Sequence, residues 1–427
     1  MLDIKFIREN PNVIKGDLKK RGDNEKITWV DDLLAKDKNH KTLLKLNQEL
    51  RYKRNTITNE INKLRKEGKD ISEKIKEAKE LPAKIKEADE KVNELQKKIN
   101  YYLMRLPNIL HKSVAVGKDE TENKEVRKWG TKPKFDFKLV PHGELIEKLG
   151  LANFEDAAKV AGKGFYYLIG DLAMMEQALQ RFAIDLLTKK GYKLVEPPLM
   201  LRRKPYEGVT DLADFETMMY KVEGDNEELF LIATSEHPIG AMMMDKTLDE
   251  DQMPIKYCGL SSCFRKEIGS HGIDEKGLFR VHQFNKIEQF IFCKPEDSWK
   301  LHEELIDNAE KIFQKLKLPY RVVNICTGDI GIVAAKKYDI EAWMPREKEY
   351  KEVVSCSNCT SYQAVRLNIK YRKQNEKEYI HTLNSTAIAT GRALRAIIEN
   401  YQQKDGSIKV PAVLQPYMQG IKVIGKK

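Results

Sequence analysis

Between Asp31 and Arg105 the chain carries only two breakers, Gly68 and Pro82, and its apolar residues recur at every seventh position. Leu43, Leu50, Ile57 and Leu64 form one row; Leu46 or Asn47, Arg54 and Ile61 form a second, weaker one. After Glu67-Gly68-Lys69-Asp70 the beat restarts at Ile71, Ala78, Ile85, Val92 and Ile99, with Ile75, Leu95 and Tyr102 on a companion row. A seven-residue repeat gives each helix one narrow apolar seam, which needs a partner helix to cover it. The pattern predicts two helices of roughly 35 residues, about 50 Å long at ~1.5 Å per residue. They should fold back on each other as an antiparallel coiled coil over about 27–104. Such an arm is too thin to enclose a core and must project from a body. Pro82 lacks a backbone donor and is expected to kink the second helix.

The arm also concentrates charge. From Asp31 to Arg105 there are 20 Lys and Arg against 14 Asp and Glu, a net +6 out of +11 for the whole chain. Two readings stay open on pattern alone: a solvated hairpin, or an arm that binds a polyanion. No aromatic ladder interleaves the basic residues, so the phosphates of a folded nucleic acid fit better than single-strand stacking. The remaining length leaves room for further domains of ~150 residues. No run of 18 apolar residues exists and the mean hydropathy is −0.57, which excludes a membrane-spanning helix. The first ten residues, MLDIKFIREN, lack the apolar stretch of a secretory signal, and six Cys are too few for a disulfide framework. A cytoplasmic location is the expectation.

Heptads stop at Leu106-Pro107-Asn108, so the chain is divided into 1–106, with the arm, and 107–427. Residues 107–165 read as a linker followed by the start of a globular domain. A helix is expected over Leu172–Lys190, with Gly191 at its stop, then a strand over Tyr192–Val195. Further strands are expected at Leu229–Ile232, Gln289–Cys293 and Tyr320–Asn324, and helices at Trp299–Leu316 and Ala387–Tyr401. This order lacks the regular rhythm of a parallel βαβ fold. It predicts an α+β body, an antiparallel sheet with flanking helices. Neither a GxxxxGK[ST] loop nor a GxGxxG turn is present, so any nucleotide phosphates would fall to arginines.

The densest chemistry lies in Cys263–Cys293, CFRKEIGSHGIDEKGLFRVHQFNKIEQFIFC. Apolar–polar alternation on both sides of a loop with Gly269, Gly272 and Gly277 predicts a hairpin presenting Arg265, Glu267, Arg280, Phe284 and Glu288. Arginine meets phosphate with a planar fork, phenylalanine offers a face to a base, and a carboxylate takes an ammonium or hydroxyl. Spacing alone also suits ordinary ion pairing on a sheet surface. Cys356-x-x-Cys359 has no second pair nearby and reads as two unpaired thiols rather than a zinc site. His271 and His282 could be general bases, though loop or structural roles suit a hairpin better. Met242, Met243 and Met244 read as helix packing.

FRxE, a loop, and GLxRxHQFxKxE resemble motif 2 of the class II aminoacyl-tRNA synthetases, in the form of the seryl-tRNA synthetase family. Asn384 through Gly391-Arg392 to Glu399-Asn400-Tyr401-Gln402 resembles motif 3, and Gly191 to Pro198 resembles motif 1. Thr234-Ser235-Glu236 resembles the family's serine-binding TxE loop; Glu352 to Thr360 resembles the segment that meets ATP and magnesium. The arm resembles the family's tRNA-binding arm, and the likeness runs from Met1 to about residue 420. Two departures from the bacterial pattern stand out. TAE is Thr234-Ser235-Glu236 here, and NGSG is Asn384-Ser385-Thr386-Ala387.

The resemblance implies an ATP-dependent ligase that joins L-serine to tRNA(Ser), and to tRNA(Sec) where the host has it, working as a homodimer with Mg2+ and no membrane. It implies Arg265 on the α-phosphate and Arg392 on the far phosphates as the catalytic pair. Lys266, Glu267, Val281, Phe284, Val353 and Val354 complete the ATP site, and Glu352 and Ser355 hold magnesium. Thr234, Ser235, Glu236, Glu288 and Thr386 surround serine. The rival readings are a ligase that loads a carrier protein and an inactive paralogue that only binds RNA. Relatives of the first kind lack the arm. For the second, loss of Arg265, Arg392 or Glu352 would be the sign, and all three are present.

Overall fold

The computed structural model describes residues 1–224, 227–267, 277–374 and 376–425, the side chains of 213–215 apart. It divides into two compact units, Leu2–Leu106 and Pro107–Lys427, with Met1 counting in the second. No helix among the described residues is long and apolar enough to cross a membrane.

In the first unit, α1 (Ile4–Glu9) and α2 (Pro11–Arg21) precede α3 (Asn24–Lys66) and α4 (Ser72–Arg105). α3 runs 43 residues, longer than its apolar seam, because Asp23 caps it by accepting the Lys26 N–H at 3.4 Å. The turn to α4 is closed by Gly68 at φ +67, where Lys69 N–H reaches Leu64 O at 3.0 Å and Gly68 N–H reaches Arg65 O at 3.3 Å. This left-handed stop satisfies the last carbonyls of α3, and Asp70 accepts the Ser72 N–H at 2.9 Å to start α4. α4 continues through Pro82 without interruption.

Along the hairpin, Ile57, Leu81, Ile85, Ala88 and Ile99 are buried. The structure decides one choice that the heptad reading leaves open and departs from that reading at one residue. The second row of α3 takes Asn47, which is buried, while Leu46 is 45% exposed. Asn47 Nδ2 donates to Asp89 at 2.6 Å and Arg51 pairs with Asp89 at 2.7 Å, so a polar pin sits in the seam and favours one register. On α4 the companion row is Leu81, Ala88, Leu95 and Tyr102. Ile75 is one position off it and 37% exposed. Lys74 takes the row position near the tip, where its long side chain reaches Glu60 across the hairpin at 2.7 Å.

The second unit is built on an eight-stranded sheet. Its strands are β1 (Lys124–Trp129), β2 (Lys193–Val195), β3 (Ile255–Phe264), β4 (Gln283–Cys293), β5 (Tyr320–Asn324), β6 (Lys336–Met344), β7 (Glu349–Asn358) and β8 (His381–Ala389). Their spatial order is β1-β5-β6-β7-β8-β4-β3-β2. All pairs are antiparallel except β2–β3, which is parallel because residues 196–254 return the chain to the same end before β3 begins. Helices α5 (Asp171–Thr188), α6 (Ser298–Lys315) and α7 (Thr390–Tyr401) pack on the sheet, and Ile287 and Ile291 of β4 join their core. With a period of two, Lys286, Glu288, Phe290 and Phe292 point to the other face, where Phe290 and Phe292 join a second core.

The helix expected from Ala387 begins at Thr390. Ala387-Ile388-Ala389 belong to β8, where Ile388 and Ala389 pair with Ile287 and Lys286, so sheet pairing overrides alanine's helix preference. Nor is the start of this unit a slack linker. Asn108 is buried and donates to Val333 O at 2.9 Å and Cys359 O at 2.8 Å, and β1 adds an edge strand to β5.

Candidate active site

β3 and β4 form the expected hairpin, and Arg265, Lys266 and Glu267 leave the end of β3. The ladder continues one step, with Arg265 N–H donating to His282 O at 3.0 Å. The Arg265 guanidinium lies 5.3 Å from the centre of the Phe284 ring. Glu267 takes a left-handed φ of +43 and pairs with Arg280 at 3.8 Å. A small cleft brings Arg265, Glu267, Val281, Phe284 and Arg392 together. Gly391, second residue of α7, lies against it, and a Cβ there would meet Leu278 O at 2.5 Å. Gly269, Gly272 and His271 lie outside the described residues.

Arg392 Nη1 donates to Glu352 O at 3.0 Å and pairs with Glu352 Oε2 at 3.2 Å. Its guanidinium also lies 4.9 Å from the centre of the Phe279 ring. Desolvation alone would push the Glu352 carboxyl up. Arg392, then Lys337 and Arg265, outweigh it and bring it down to about 2. Ser355 stands opposite Asp339 across the β6–β7 ladder, with Val353 and Val354 buried beside it. Asp339 is buried and pairs with Lys337 at 3.2 Å, while its Oδ1 has no hydrogen-bond partner among the described residues. Burial, which Lys337 opposes and Glu352 reinforces, raises the Asp339 carboxyl to about 7.

Four residues along β4 from Phe284, a second cluster is buried. Glu288 pairs with Lys286 at 2.5 Å and accepts from Thr386 Oγ1 at 3.4 Å. Burial raises the Glu288 carboxyl, and Lys286 counters it. Glu236 accepts from Gln363 Nε2 at 2.8 Å and Asn384 Nδ2 at 3.1 Å. Burial, reinforced by the neighbouring Glu288, lifts it to about 7. Thr234 Oγ1 accepts the Glu236 N–H at 3.2 Å. Ser235 is fully buried and turns its hydroxyl to Gly259 O at 3.4 Å. Two carboxylates, one ammonium and a threonine hydroxyl gathered in one buried or half-buried cluster are chemistry for a small zwitterion bearing a hydroxyl. Lys286 and Gln363 were not picked out as site residues from the sequence. Lys286 was legible in principle, because it shares a strand face with Glu288 two residues on; Gln363 lies on a distant helix and has no such signal.

Cys356 and Cys359 are free and buried, as are Cys258, Cys263, Cys293 and Cys326. Burial raises the thiols of Cys356 and Cys359, and Asn384 Nδ2 approaches Cys359 Sγ at 3.5 Å. Met242 closes a short helix and is 39% exposed, whereas Met243 is buried and Met244 packs against the second core.

Residues 220–401 match the tRNA synthetase class II core domain (G, H, P, S and T), and residues 1–110 match the seryl-tRNA synthetase N-terminal domain. A serine–tRNA ligase from Methanocella arvoryzae is 61% identical, covering 99% of this chain and 100% of its own. The crystal structure of seryl-tRNA synthetase from Pyrococcus horikoshii complexed with ATP superposes with a TM-score of 0.90 at 50% identity, covering 99% of both chains. The cytoplasmic serine–tRNA ligase from Naegleria fowleri in complex with AMP gives 0.86 at 41% identity over 99% of this chain and 98% of that one. With identity at these levels along its whole length, the chain belongs to the seryl-tRNA synthetase family of class II aminoacyl-tRNA synthetases.

Proposed function

We propose that this chain activates L-serine with ATP and transfers it to the 3′-terminal adenosine of tRNA(Ser), and of tRNA(Sec) where the host has it. One observation carries the reading. Phe284, Lys286 and Glu288 lie on one face of β4, so an adenine against Phe284 and a serine against Glu288 sit about 13 Å apart along the strand at ~3.3 Å per residue. That spacing leaves the α-phosphate between them, beside Arg265.

In the first step the serine carboxylate attacks the α-phosphorus and the bond to pyrophosphate breaks. Arg265 and Arg392 face the negative charge that accumulates on the phosphate oxygens. Lys266, Glu267 and Val281 frame the adenine with Phe284, and Val353 and Val354 follow Glu352 along β7 as the backbone of the ATP segment. Glu352 and Ser355 would hold Mg2+ with the phosphates. Two protein oxygens suit an ion that is held largely by phosphates and water, and Asp339 Oδ1 opposite Ser355, which has no hydrogen-bond partner among the described residues, suits an oriented hydroxyl there. When bound, the ion supplies charge neutralisation. In the second step the ribose 3′-OH attacks the seryl carbonyl and AMP leaves. Thr234, Glu236, Glu288 and Thr386 hold the ammonium and hydroxyl of serine through both steps, and Ser235 braces their loop.

The basic arm is the tRNA-binding element of 1–106, and 107–427 is the catalytic domain. The enzyme works as a cytoplasmic homodimer. Exposed Leu194 within motif 1, with Leu199 and Met200 just after it, supports the pairing of two copies. Retention of Arg265, Arg392 and Glu352 disfavours an inactive paralogue.

Serine-dependent ATP–pyrophosphate exchange tests the reading. A pocket built to bond a hydroxyl leaves its polar groups unpaired when alanine enters, which gives ~10⁴–10⁵ discrimination. Threonine should be rejected by size. Alanine used within roughly tenfold of serine would defeat the pocket assignment, and full selectivity in Glu288→Ala would move the role to another residue.

A further inference from the structure

His282 stands between Val281 and the adenine-stacking Phe284, yet the mechanism above gives it nothing to do. Its surroundings are unusually constrained. The His282 N–H donates to Gly164 O at 2.9 Å, and its carbonyl accepts the Arg265 N–H at 3.0 Å. The imidazole stacks on Phe165 with ring centres 5.4 Å apart and planes 25° apart. Gly164 lies under the ring at φ +85, and a Cβ there would stand 2.2 Å from His282 Cδ2. Only glycine suits that position, on both counts. Of the two ring nitrogens, Nδ1 shares a hydrogen bond with the hydroxyl of Tyr220.

Tyr220 belongs to a short segment that grips both sides of the hairpin. Met218 O accepts the Lys266 N–H at 2.9 Å, and Lys266 Nζ lies 5.8 Å from the centre of the Tyr220 ring. Between them, Met219 Sδ accepts the Tyr206 hydroxyl at 2.7 Å. Fully buried Tyr206 also accepts the Ala233 N–H at 3.2 Å and lies 3.0 Å from His237 Nδ1. Ala233 and His237 bracket Thr234-Ser235-Glu236. A continuous set of contacts therefore runs from the nucleotide hairpin through Met218–Tyr220 to the loop proposed to hold serine.

We propose that Tyr220 and His282 act as one positioning unit, which holds Lys266 and Phe284 in the geometry that ATP requires. The proposal rests on the ligase reading for the identity of the ligand, and on contacts alone for the unit itself. Neither residue touches the reacting atoms. Their bond therefore bears on how well ATP is held and little on the chemical step. A side-chain hydrogen bond of this kind is worth roughly three- to tenfold in a binding constant.

The test uses the full-length protein and Tyr220→Phe, which removes one oxygen and keeps the ring beneath Lys266. Calorimetric titration with ATP should show affinity weakened by roughly three- to tenfold, with the melting temperature unchanged. In exchange assays the KM for ATP should rise by the same factor while kcat holds. His282→Phe should weaken ATP to a similar extent, and Tyr220→Phe should add nothing to it, since the two share one bond. Unchanged ATP affinity in Tyr220→Phe overturns the proposal. So do additive effects in the double variant, or a lower melting temperature and kcat at constant KM, which would mark a purely structural bond. Wild-type protein that binds ATP but fails in serine-dependent exchange would count against the ligase reading instead, and the calorimetric comparison would still decide this one.

Discussion

Lysine–glutamate pairs occur in both units, and they obey opposite rules. On the arm, Lys84–Glu80, Lys91–Glu87 and Lys98–Glu94 are spaced i,i+4 on α4, at 3.0, 2.6 and 2.6 Å, with every side chain more than half exposed. Hydrogen bonds from Lys91 and Lys98 hold the Glu87 and Glu94 carboxyls below their ordinary range. Water and salt screen such pairs, so each adds little and any one can be exchanged. In the sheet, Lys286–Glu288 is 7% and 2% exposed, and burial drives the Glu288 carboxyl up in spite of its lysine. Burying two charges costs more than their attraction returns, so a pair of this kind persists where a site uses it. The arm spends charge on reach and on a distant polyanion. The sheet confines charge where a small ligand must be read.

If that division is right, the two units should fail separately. The largest expected effect comes from replacing Asp31–Arg105 with a short linker: pyrophosphate exchange continues while tRNA charging is lost. Parallel loss of both activities would mean that the arm supports the catalytic unit, and unchanged charging would reduce it to a solvated hairpin. Next in size, Arg265→Ala and Arg392→Ala should each lower exchange by ~10²–10³, the cost of removing a donor aimed at transition-state charge, with the melting temperature retained. Near-normal exchange in both would remove the phosphate assignment.

The smallest expected effect is in pH. Glu236 has its carboxyl raised to about 7 by burial and by Glu288, so below that pH the free enzyme holds it neutral. If the carboxylate takes the serine ammonium, kcat/KM for serine should fall about tenfold per pH unit below neutrality, while Glu236→Gln is uniformly poor across the range. Stability runs the other way. The unfolded carboxyl loses its proton in the ordinary carboxylate range, so stability declines as pH climbs from there through about 7, and Glu236→Gln removes the decline. Glu87 has a lowered carboxyl, so its stabilisation is present above the ordinary range and lost as pH falls. A flat serine profile between pH 6 and 8 would place the ammonium elsewhere.

Much of this organisation was legible in the residues themselves, and for physical reasons. A heptad seam and strand alternation are local periodicities, so the coiled coil and the β3–β4 hairpin follow from short windows of sequence. What short windows leave open or misread falls where a distant partner decides. Leu46 and Asn47 are equally placed on α3 until Asp89 of α4 supplies a carboxylate. Ile75 satisfies a hydrophobic count, but the geometry near the tip favours Lys74 and Glu60. Ala387–Ala389 read as helix because their pairing with β4 is invisible locally. In the site, Arg265, Phe284, Glu288 and Arg392 stand in recognisable strings. The contacts of Glu236 with Gln363 and Asn384, and those of Tyr206 with Ala233 and His237, join segments that lie far apart in the chain.

The six cysteines, every one of them free and buried, make the native chain quiet toward soluble thiol reagents. Thiolate is the reactive form, and burial suppresses it: Cys258 is pushed up to about 12, and Cys263, Cys293, Cys356 and Cys359 are raised as well. A single new thiol on the exposed turn after Gly68, as in Lys69→Cys, would then be the one position open to a maleimide dye. The arm can be tagged at its tip without stripping native cysteines from the catalytic unit, and its motion on tRNA followed by fluorescence in an otherwise unaltered protein.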